Sequence, residues 1–297
     1  MLSLIVAAFI TKNSYTKLLS APISLNDVLN STLQIPYNSI ILVDDSMDLT
    51  VDIFKKWADA HGKELVVSRS RLYGYSRPTR ATARQTAIDI FFENFNDEWI
   101  LFIDDDVIFN DGWWDEAKKY IDEKSVGLIW GVNYDANIER RVLLEALGVD
   151  YTQYLIKEFY KRGGTHDTLV RRSALDGIKI PPELHVFEDW YILKYIKEGG
   201  YDIRIVKTGV MHYNPSIGIS SKQIKEMAFL AAKYAVEPPV LDYAFCRFIK
   251  NIVGLPLNIF VCMKCFGVKR GLRRGFLWWR DKFLYRLYFL IYTISLR

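Results

Sequence analysis

The stretch Trp99-Ile100-Leu101-Phe102-Ile103-Asp104-Asp105-Asp106 decides the fold, because a strand-like apolar run ends there in three consecutive carboxylates. A short apolar run bounded by polar residues is typical of a buried strand. Open α/β sheets bind ligands at the carboxyl ends of such strands. Neighbouring carboxylates repel one another unless a cation or solvent compensates, and a divalent metal is the simplest compensation. The stretch therefore predicts a metal-assisted enzyme that acts on a phosphate-bearing donor.

Apolar runs alternate with helical patterns along the chain, which indicates the α/β class: a Rossmann-like mixed, mainly parallel sheet with helices on both faces. The predicted strands cover residues 2–10, 39–43, 64–67, 99–103, 126–132, 167–171, 201–206 and 210–213. The predicted helices cover residues 51–61, 78–95, 113–121, 188–198 and 220–236. The run at 2–10 is too short to span a bilayer and lacks a basic flank, so we interpret it as the first core strand.

Composition and charge divide the chain in two. Half of the 297 residues are hydrophobic and 14% are aromatic, which supports a large core and excludes a disordered chain. Residues 240–297 carry a net charge of +9, which leaves −5 on the remainder of a chain whose total is +4. Pro238-Pro239 marks the boundary. We therefore predict a catalytic domain over residues 1–237 and a basic, aromatic-rich helical region over residues 238–297.

Three cysteines do not make a disulfide framework, and we expect a reducing compartment. Cys262 and Cys265 form a CxxC without a second Cys or His pair at zinc spacing, which favours packing over metal binding.

The last 58 residues combine apolar, basic and aromatic side chains. The apolar stretch 251–266 is interrupted at Gly254, Pro256 and Lys264, so it falls short of the ~20 residues of a simple span. Trp, Tyr, Lys and Arg together favour the headgroup level of a bilayer. We expect membrane-associated helices over 240–297, and the alternative is a helical subdomain whose aromatic residues cover the core. The aromatic residues stand among aliphatic runs, which argues against nucleic-acid binding.

Carboxylates follow two of the predicted strands. Asp104 and Asp106 share one side of an extended chain and can reach the same metal ion, since alternate side chains share a face. His212, in a strand-like run, is either a third ligand or a core histidine. Asp44 and Asp45 follow the strand 39–43, where they either accept hydrogen bonds from a nucleoside or cap the next helix.

An acidic pair and a basic row complete the candidate site. Glu188-Asp189 opens a helix, either as caps or with one carboxylate acting as a general base toward a hydroxyl. Arg77, Arg80 and Arg84 are spaced to lie on one helix face, which forms either a diphosphate site or a solvated basic surface.

These motifs resemble, in their order along the chain, those of the family-2 glycosyltransferases with a GT-A fold. The resemblance covers about residues 1–215, and it rests on Val43-Asp44-Asp45-Ser46, Ala83-Arg84-Gln85, Phe102-Ile103-Asp104-Asp105-Asp106, Glu188-Asp189-Trp190, Gly199-Gly200-Tyr201 and His212.

The resemblance implies how a nucleotide-sugar donor binds. Asp45, with Asp44 beside it, is expected to contact the nucleoside base. Arg84 is expected near the donor phosphates, with Arg80 and Arg77 as further nucleotide-sugar-binding residues.

The resemblance also implies the metal and the catalytic groups. Asp104 and Asp106 form the DxD that holds Mn²⁺ or Mg²⁺ with the donor diphosphate, and His212 completes the metal site. Asp189 is the expected catalytic base, supported by Glu188. The expected reaction is sugar transfer with inversion.

Two features narrow the expected reaction. The segment Gln223-Ile224-Lys225-Glu226-Met227 lacks the Arg and Trp of the QxxRW motif of processive synthases, so single-sugar transfer is expected. A lipid phosphate acceptor is already ionised, and the pair Glu188-Asp189 therefore favours a hydroxyl acceptor.

The chain is similar to minimal cellulose-synthase-like archaeal mannosyltransferases of N-glycan assembly. That similarity implies GDP-mannose as donor, a polyprenyl- or dolichyl-linked glycan as acceptor, and a membrane-associated enzyme whose catalytic domain faces the cytoplasm.

Other functions remain as alternatives. A polyprenyl-phosphate sugar synthase would use a UDP- or GDP-sugar, and a non-catalytic GT-A scaffold would bind at the membrane. A glycoside hydrolase also uses two carboxylates but needs neither the triplet nor the arginine row. A nucleotidyltransferase usually has an early glycine-rich loop, and residues 2–14 contain no glycine.

Overall fold

A computed structural model describes residues 5–213 and 220–296. The chain divides into two compact units: the described part of 1–136 and 155–215, and the described part of 137–154 and 216–297. The first unit holds the sheet and every candidate site residue. The second is helical.

Within the described residues, eight strands form one sheet in the order β3-β2-β1-β4-β7-β6-β8-β5. The strands are β1 Ile5–Thr11, β2 Ser39–Asp44, β3 Glu64–Ser68, β4 Trp99–Asp104, β5 Val107–Phe109, β6 Val126–Asp135, β7 Asp167–Arg171 and β8 Asp202–His212. Strands β5 and β7 run antiparallel to their neighbours, and the other pairs are parallel. The predicted α/β class and mixed, mainly parallel sheet are confirmed.

The middle of the sheet is buried along its whole length. The side chains of β1 and β2 are almost all buried, as are those of β4 up to Ile103. Continuous apolar strands of this kind occur where both faces of a parallel sheet are covered. One core of the first unit includes Phe9, Phe54, Trp99 and Trp113.

Strand register brings polar residues to one edge of the sheet. Thr11 lies opposite Asp44, and Ile10 lies opposite Asp104, so the carboxyl ends of β1, β2 and β4 are neighbours. Strand β7 runs antiparallel to β4, and the amide of Asp104 donates to the carbonyl of His166 at 3.1 Å. The start of β7 therefore lies beside the end of β4.

The described helices are α1 Ser14–Leu18, α2 Leu25–Ser31, α3 Thr50–Ala60, α4 Arg80–Asn94, α5 Trp113–Ala117, α6 Glu139–Ala146, α7 Tyr151–Arg162, α8 Glu188–Glu198, α9 Ser221–Lys233, α10 Leu241–Val253, α11 Leu255–Phe266 and α12 Val268–Ser295. Capping boxes fix the first residues of three of them, with Ser24, Thr79 and Ser220 as the N-caps of α2, α4 and α9.

The predicted elements are found, with boundary changes. The strand predicted at 2–10 begins, within the described residues, at Ile5, and residues 2–4 lie outside them. The strands predicted at 201–206 and 210–213 are one strand, β8. The pairing of β8 with β6 shifts register between Val206 and Val210, and Gly209 lies in this irregular segment. Helices α1, α2, α6 and α7 and the short strand β5 were not predicted, and β5 has only three residues.

The second unit packs α11 along α12. A Cβ atom at Gly271 would lie 2.3 Å from the Cα of Met263, and one at Gly275 would lie 2.9 Å from the Cα of Ile259. The two glycines, four residues apart on α12, therefore allow the helix backbones to approach closely. Leu143 of α6 joins Val261 and Cys262 of α11 in a small apolar core, so packing is the observed role of the CxxC segment.

Among the described residues, none of the helices alone has both the length and the hydropathy of a membrane span. Helices α10 and α11 together have them, but they meet at an angle of 47°. Gly254 lies at the bend and Pro256 follows it, and both residue types interrupt helices.

Candidate active site

The acidic triplet lies where β4 ends and β5 begins. Asp104 closes β4, and Asp105 and Asp106 form a turn. The extended chain therefore ends at Asp104. The alternation of side chains that was expected to place Asp104 and Asp106 on one side does not continue past this residue. Strand pairing supplies the contact instead: Val107 lies opposite His212, and the Nε2 of His212 is 3.0 Å from the Oδ1 of Asp106.

Each carboxylate of the triplet has a cation or a hydroxyl beside it. Lys17 on α1 donates to Asp105 Oδ1 and Asp106 Oδ2 at 2.8 Å each, and the Ser14 hydroxyl donates to Asp105. Burial favours a neutral amine, but the two carboxylates outweigh it and raise the pKa of Lys17. Lys17 therefore remains charged, and no sequence motif had indicated it.

Asp104 is held by Arg84 of α4. The Nη2 of Arg84 donates to Asp104 Oδ1 at 2.9 Å, and His166 Nδ1 lies 3.5 Å from Asp104 Oδ2. Desolvation would raise the pKa of Asp104, but Arg84 and His166 hold it well below its ordinary value. Asp104 is therefore ionised at neutral pH.

Arg84 has unused hydrogen-bonding capacity. Its side chain is buried, and its Nε and Nη1 have no hydrogen-bond partner among the described residues. Buried N–H groups without partners are costly, and guanidinium groups bind phosphate oxygens readily. The geometry of Arg84 thus suits an anion in the site.

The three arginines do not form one helical row, so that prediction is wrong. Helix α4 begins at Arg80, with Thr79 as its N-cap, and Arg77 precedes the helix. The capping box at Thr79 sets this start, later than the predicted 78. Arg80 is exposed and interacts electrostatically with four acids of the site: Glu188, Asp104, Asp189 and Asp106. Arg84 makes the direct contacts with Asp104 and Glu188.

Asp44 and Asp45 lie at the end of β2, and neither caps the next helix. Asp44 is buried and accepts a hydrogen bond from Thr11 Oγ1 at 2.6 Å. Asp45 accepts from the amide and hydroxyl of Ser70, at 3.1 and 2.6 Å. Asp48 is the residue that accepts from the first residue of α3. Asp45 is thus the more accessible of the two.

Glu188 is a buried acid of the site. It is the first residue of α8 and is 3% exposed, and its Oε1 lies 3.6 Å from Arg84 Nε. Burial, reinforced by the neighbouring charge of Asp189 and opposed by Arg84 and Arg80, raises the pKa of Glu188 from 4.5 to about 7. Glu188 therefore holds a proton over part of the neutral range.

Asp189 is partly exposed at the same helix end. Its Oδ1 accepts from the amide of Trp190 at 2.8 Å. Burial raises the pKa of Asp189, while Arg162, the Trp190 amide, His166 and Arg84 oppose the shift. Gly163 packs so closely that a Cβ there would lie 2.4 Å from the Asp189 carbonyl carbon, so the loop before β7 fits against this helix end.

His166 belongs to the site, whereas its neighbour Asp167 does not. Asp167 instead accepts from Trp113 Nε1 at 2.9 Å in the core. The His166 ring centroid lies 5.5 Å from that of His212. The sequence signal for His166 was its position between the Gly163-Gly164 turn and the strand β7. Because β7 runs antiparallel to β4, it starts where β4 ends.

The side chains match a divalent metal in type. Asp104, Asp106 and His212 offer carboxylate oxygens and an imidazole, which suit Mn²⁺ or Mg²⁺. However, both oxygens of Asp106 are engaged by Lys17 and His212. In the part of the chain that the structure describes, no three His, Cys, Asp or Glu side chains are arranged to hold a metal ion. The site therefore matches a divalent metal in the chemistry of its side chains, and a metal ion would compete with Lys17 for Asp106.

Comparison with known proteins supports a glycosyltransferase. The family model "Glycosyl transferase family 2" matches residues 11–175, a range that includes β2, α4 and the acidic triplet. No curated protein matches the chain.

Solved structures with a similar fold include a mannosyltransferase and a glucosyl-3-phosphoglycerate synthase. Mannosyltransferase PcManGT from Pyrobaculum calidifontis, in complex with GDP-Man and Mn²⁺, is 15% identical, with a TM-score of 0.58 over 99% of this chain and 87% of that one. S. aureus TarS (1–349) is 17% identical, with a TM-score of 0.51 over 98% and 91%. Glucosyl-3-phosphoglycerate synthase from Mycobacterium tuberculosis, with Mn²⁺, UDP and phosphoglyceric acid, is 16% identical, with a TM-score of 0.50 over 77% and 78%. The mixed α/β fold is consistent with GT-A.

The raised pKa of Glu188 predicts a pH dependence of stability. Between pH 4.5 and about 7 the folded state holds a proton on Glu188 that the unfolded state releases. The free energy of unfolding therefore falls as pH rises through this window. Replacing Glu188→Gln removes this contribution, so the variant should lose less stability than the parent between pH 5 and pH 8.

Urea unfolding at pH 5, 6, 7 and 8 measures the effect. Glu198→Gln, at the exposed end of α8, is the matched control and should follow the parent. A Glu188→Gln variant whose stability falls with pH as steeply as that of the parent would contradict the assignment.

Proposed function

The chain belongs to glycosyl transferase family 2, and from that premise we propose that it is an inverting, metal-dependent, non-processive enzyme that transfers mannose from GDP-mannose to a hydroxyl of a polyprenyl- or dolichyl-linked glycan. One observation carries the proposal. The buried guanidinium of Arg84 lies between Asp104 and Glu188, at 2.9 and 3.6 Å. Arg84, the residue suited to donor phosphates, thus lies between Asp104, which suits a metal, and Glu188, the neighbour of the proposed base Asp189.

In the proposed reaction Asp189 removes the proton from the acceptor hydroxyl. The acceptor oxygen then attacks the anomeric carbon from the face opposite the nucleoside diphosphate, whose bond to that carbon breaks. Proton transfer of this kind contributes about 10²–10⁴ in rate. Asp189 suits the role because it is ionisable, partly exposed and raised in pKa by burial.

Arg84 would lie near the diphosphate and neutralise part of its charge from a buried position, since its Nε and Nη1 are buried without a hydrogen-bond partner in the described structure. A bound divalent ion, held by Asp104, Asp106 and His212, would supply neutralising charge for the leaving diphosphate. Asp45, the more accessible acid at the end of β2, would accept hydrogen bonds from the nucleoside.

GDP-mannose is proposed because PcManGT was solved with GDP-Man, and the mycobacterial synthase, solved with UDP, makes a UDP donor the competing outcome. A hydroxyl acceptor is proposed because a base is present. An ionised lipid phosphate would need no base.

The basic tail would place the enzyme on an anionic membrane surface, with the catalytic domain 1–237 facing the cytoplasm and 238–297 in contact with lipid. Val268, Leu272 and Phe276 are exposed apolar residues four positions apart on α12, so they share one helix face. Lys269 and Arg273 are exposed directly after the first two. A face with this composition suits the boundary between headgroups and acyl chains.

Donor binding tests the proposed substrate. We expect GDP-mannose to bind in the presence of Mn²⁺ at least about tenfold, or 1.4 kcal/mol, more tightly than UDP-glucose or UDP-N-acetylglucosamine, and to lose this affinity in chelator. Isothermal titration calorimetry on detergent-solubilised protein gives both comparisons. Tighter binding of a UDP-sugar would replace the proposed donor, and equal binding in chelator would remove the metal.

Asp189→Asn tests the proposed base. The transfer rate should fall by about 10²–10⁴ because the amide cannot accept the proton, while the Kd for GDP-mannose stays within about threefold. Asp59→Asn on the exposed surface of α3 is the control and should retain full activity. Unchanged turnover in Asp189→Asn would exclude Asp189 as the base.

Charge reversal tests the proposed lipid contact. Lys269→Glu/Arg273→Glu should weaken binding to phosphatidylserine-containing vesicles by about thirtyfold, since each basic residue near an anionic surface contributes about 1 kcal/mol. The control Lys55→Glu/Lys56→Glu reverses two exposed charges on α3. A flotation assay measures vesicle binding. An equal loss of binding in both double variants would show that net charge, rather than the α12 face, determines the attraction to the vesicles.

A further inference from the structure

The ammonium of Lys17 is the one cation in the described structure that bonds two members of the acidic triplet. It donates to Asp105 Oδ1 and Asp106 Oδ2 at 2.8 Å each, whereas Arg84 and His166 contact Asp104. We propose that Lys17 is an internal counter-ion of the triplet, which occupies an oxygen needed for metal binding and is displaced when a divalent metal binds. The inference rests on the proposed metal dependence of the enzyme.

Asp106 is where Lys17 and a metal ion compete. Its Oδ1 contacts His212 Nε2 at 3.0 Å, and its Oδ2 accepts from Lys17. An ammonium group 2.8 Å from Oδ2 disfavours a metal ion there, because the two cations repel and the ammonium occupies one of the lone pairs of the oxygen. An imidazole can exchange its contact with Asp106 for a bond to the metal, since imidazole nitrogen is a ligand. An ammonium has no lone pair to offer, so Lys17 is the group expected to leave.

Lys17 also compensates Asp105. The side chain of Asp105 is 9% exposed and that of Asp106 is 6% exposed, and two adjacent buried carboxylates without a cation are unfavourable. Lys17 therefore stabilises the turn between β4 and β5 before any metal is present. A divalent ion can take over this compensation because it carries a larger charge.

The surroundings of Lys17 allow it to move. Its side chain is 34% exposed, and it is carried by a five-residue helix, α1, whose N-cap Asn13 makes no side-chain cap hydrogen bond. Lysine has a flexible four-carbon stem and a strongly hydrated head. The ammonium can reach water by rotating this stem, without movement of β4 or β5.

Metal affinity of a Lys17→Met variant is the first test. Methionine keeps an unbranched stem but does not compete for Asp106, so Mn²⁺ should bind at least about tenfold more tightly than to the parent. Lys12→Met removes an equal charge from the exposed segment before α1 and serves as the control. Calorimetry with MnCl₂ alone gives the three constants. Equal affinities in the parent and Lys17→Met, or an equal gain in Lys12→Met, would overturn the proposal.

Chemical labelling of the parent protein provides a second test that needs no variant. Reductive methylation followed by peptide mass spectrometry reports the accessibility of each lysine amine. Lys17 should react slowly in chelator and at least about fivefold faster in saturating MgCl₂, because a displaced ammonium enters solvent. Lys12 should react equally in both conditions. A Lys17 rate that does not change with Mg²⁺ would overturn the proposal even if Lys17→Met fails to fold.

The outcomes separate this proposal from the proposed function. Metal-dependent transfer with an unchanged Lys17 reaction rate would leave the function in place and remove the counter-ion role. A failure of both the parent and Lys17→Met to bind Mn²⁺ would remove the counter-ion role together with the metal dependence. Binding by Lys17→Met where the parent binds undetectably would support the counter-ion role most strongly.

Discussion

Compensation of buried negative charge is the constraint on which the site depends. Five carboxylates converge at one edge of the sheet, from the end of β4 and the start of α8: Asp104, Asp105, Asp106, Glu188 and Asp189. Bringing them out of water is unfavourable unless cations or protons accompany them. Arg84 and Lys17 supply two positive charges by direct contact, Arg80 adds a third at longer range, and the raised pKa of Glu188 supplies a bound proton. The remaining charge is available to a ligand that is itself cationic.

Arg84 performs this compensation from a fixed position. Ten of the fifteen residues of α4 are buried, so the helix is a core element that cannot easily shift. Its guanidinium is rigid and permanently charged, and it is held between Asp104 and Glu188. A donor diphosphate that binds Arg84 would therefore meet a group already positioned by the apolar core.

Sequence patterns predicted the parts of the site that follow directly from strand ends. The apolar run before Asp104 was identified correctly, because buried strands have a clear signature. The strand that ends at His212 was predicted as two shorter strands, 201–206 and 210–213, although it is continuous. The arginine row failed at Arg77, since a capping box at Thr79, not periodicity, sets the start of α4. Lys17 and His166 were missed. Both lie outside the parallel strands, and their places depend on α1 and on the antiparallel pairing of β7 with β4, which local pattern does not specify.

The acidic pair divides its roles by burial. Glu188 is 3% exposed and faces Arg84, so it cannot reach an acceptor in solvent, and its effect is electrostatic. Asp189 is partly exposed and beside the loop that carries His166. When Glu188 is protonated, Asp189 has one fewer negative neighbour and ionises more readily. When Glu188 loses its proton, the basicity of Asp189 rises. Under the proposed function, coupled titration of this kind would keep Asp189 active as a base near neutral pH, and it requires the two carboxylates to be adjacent at one helix end.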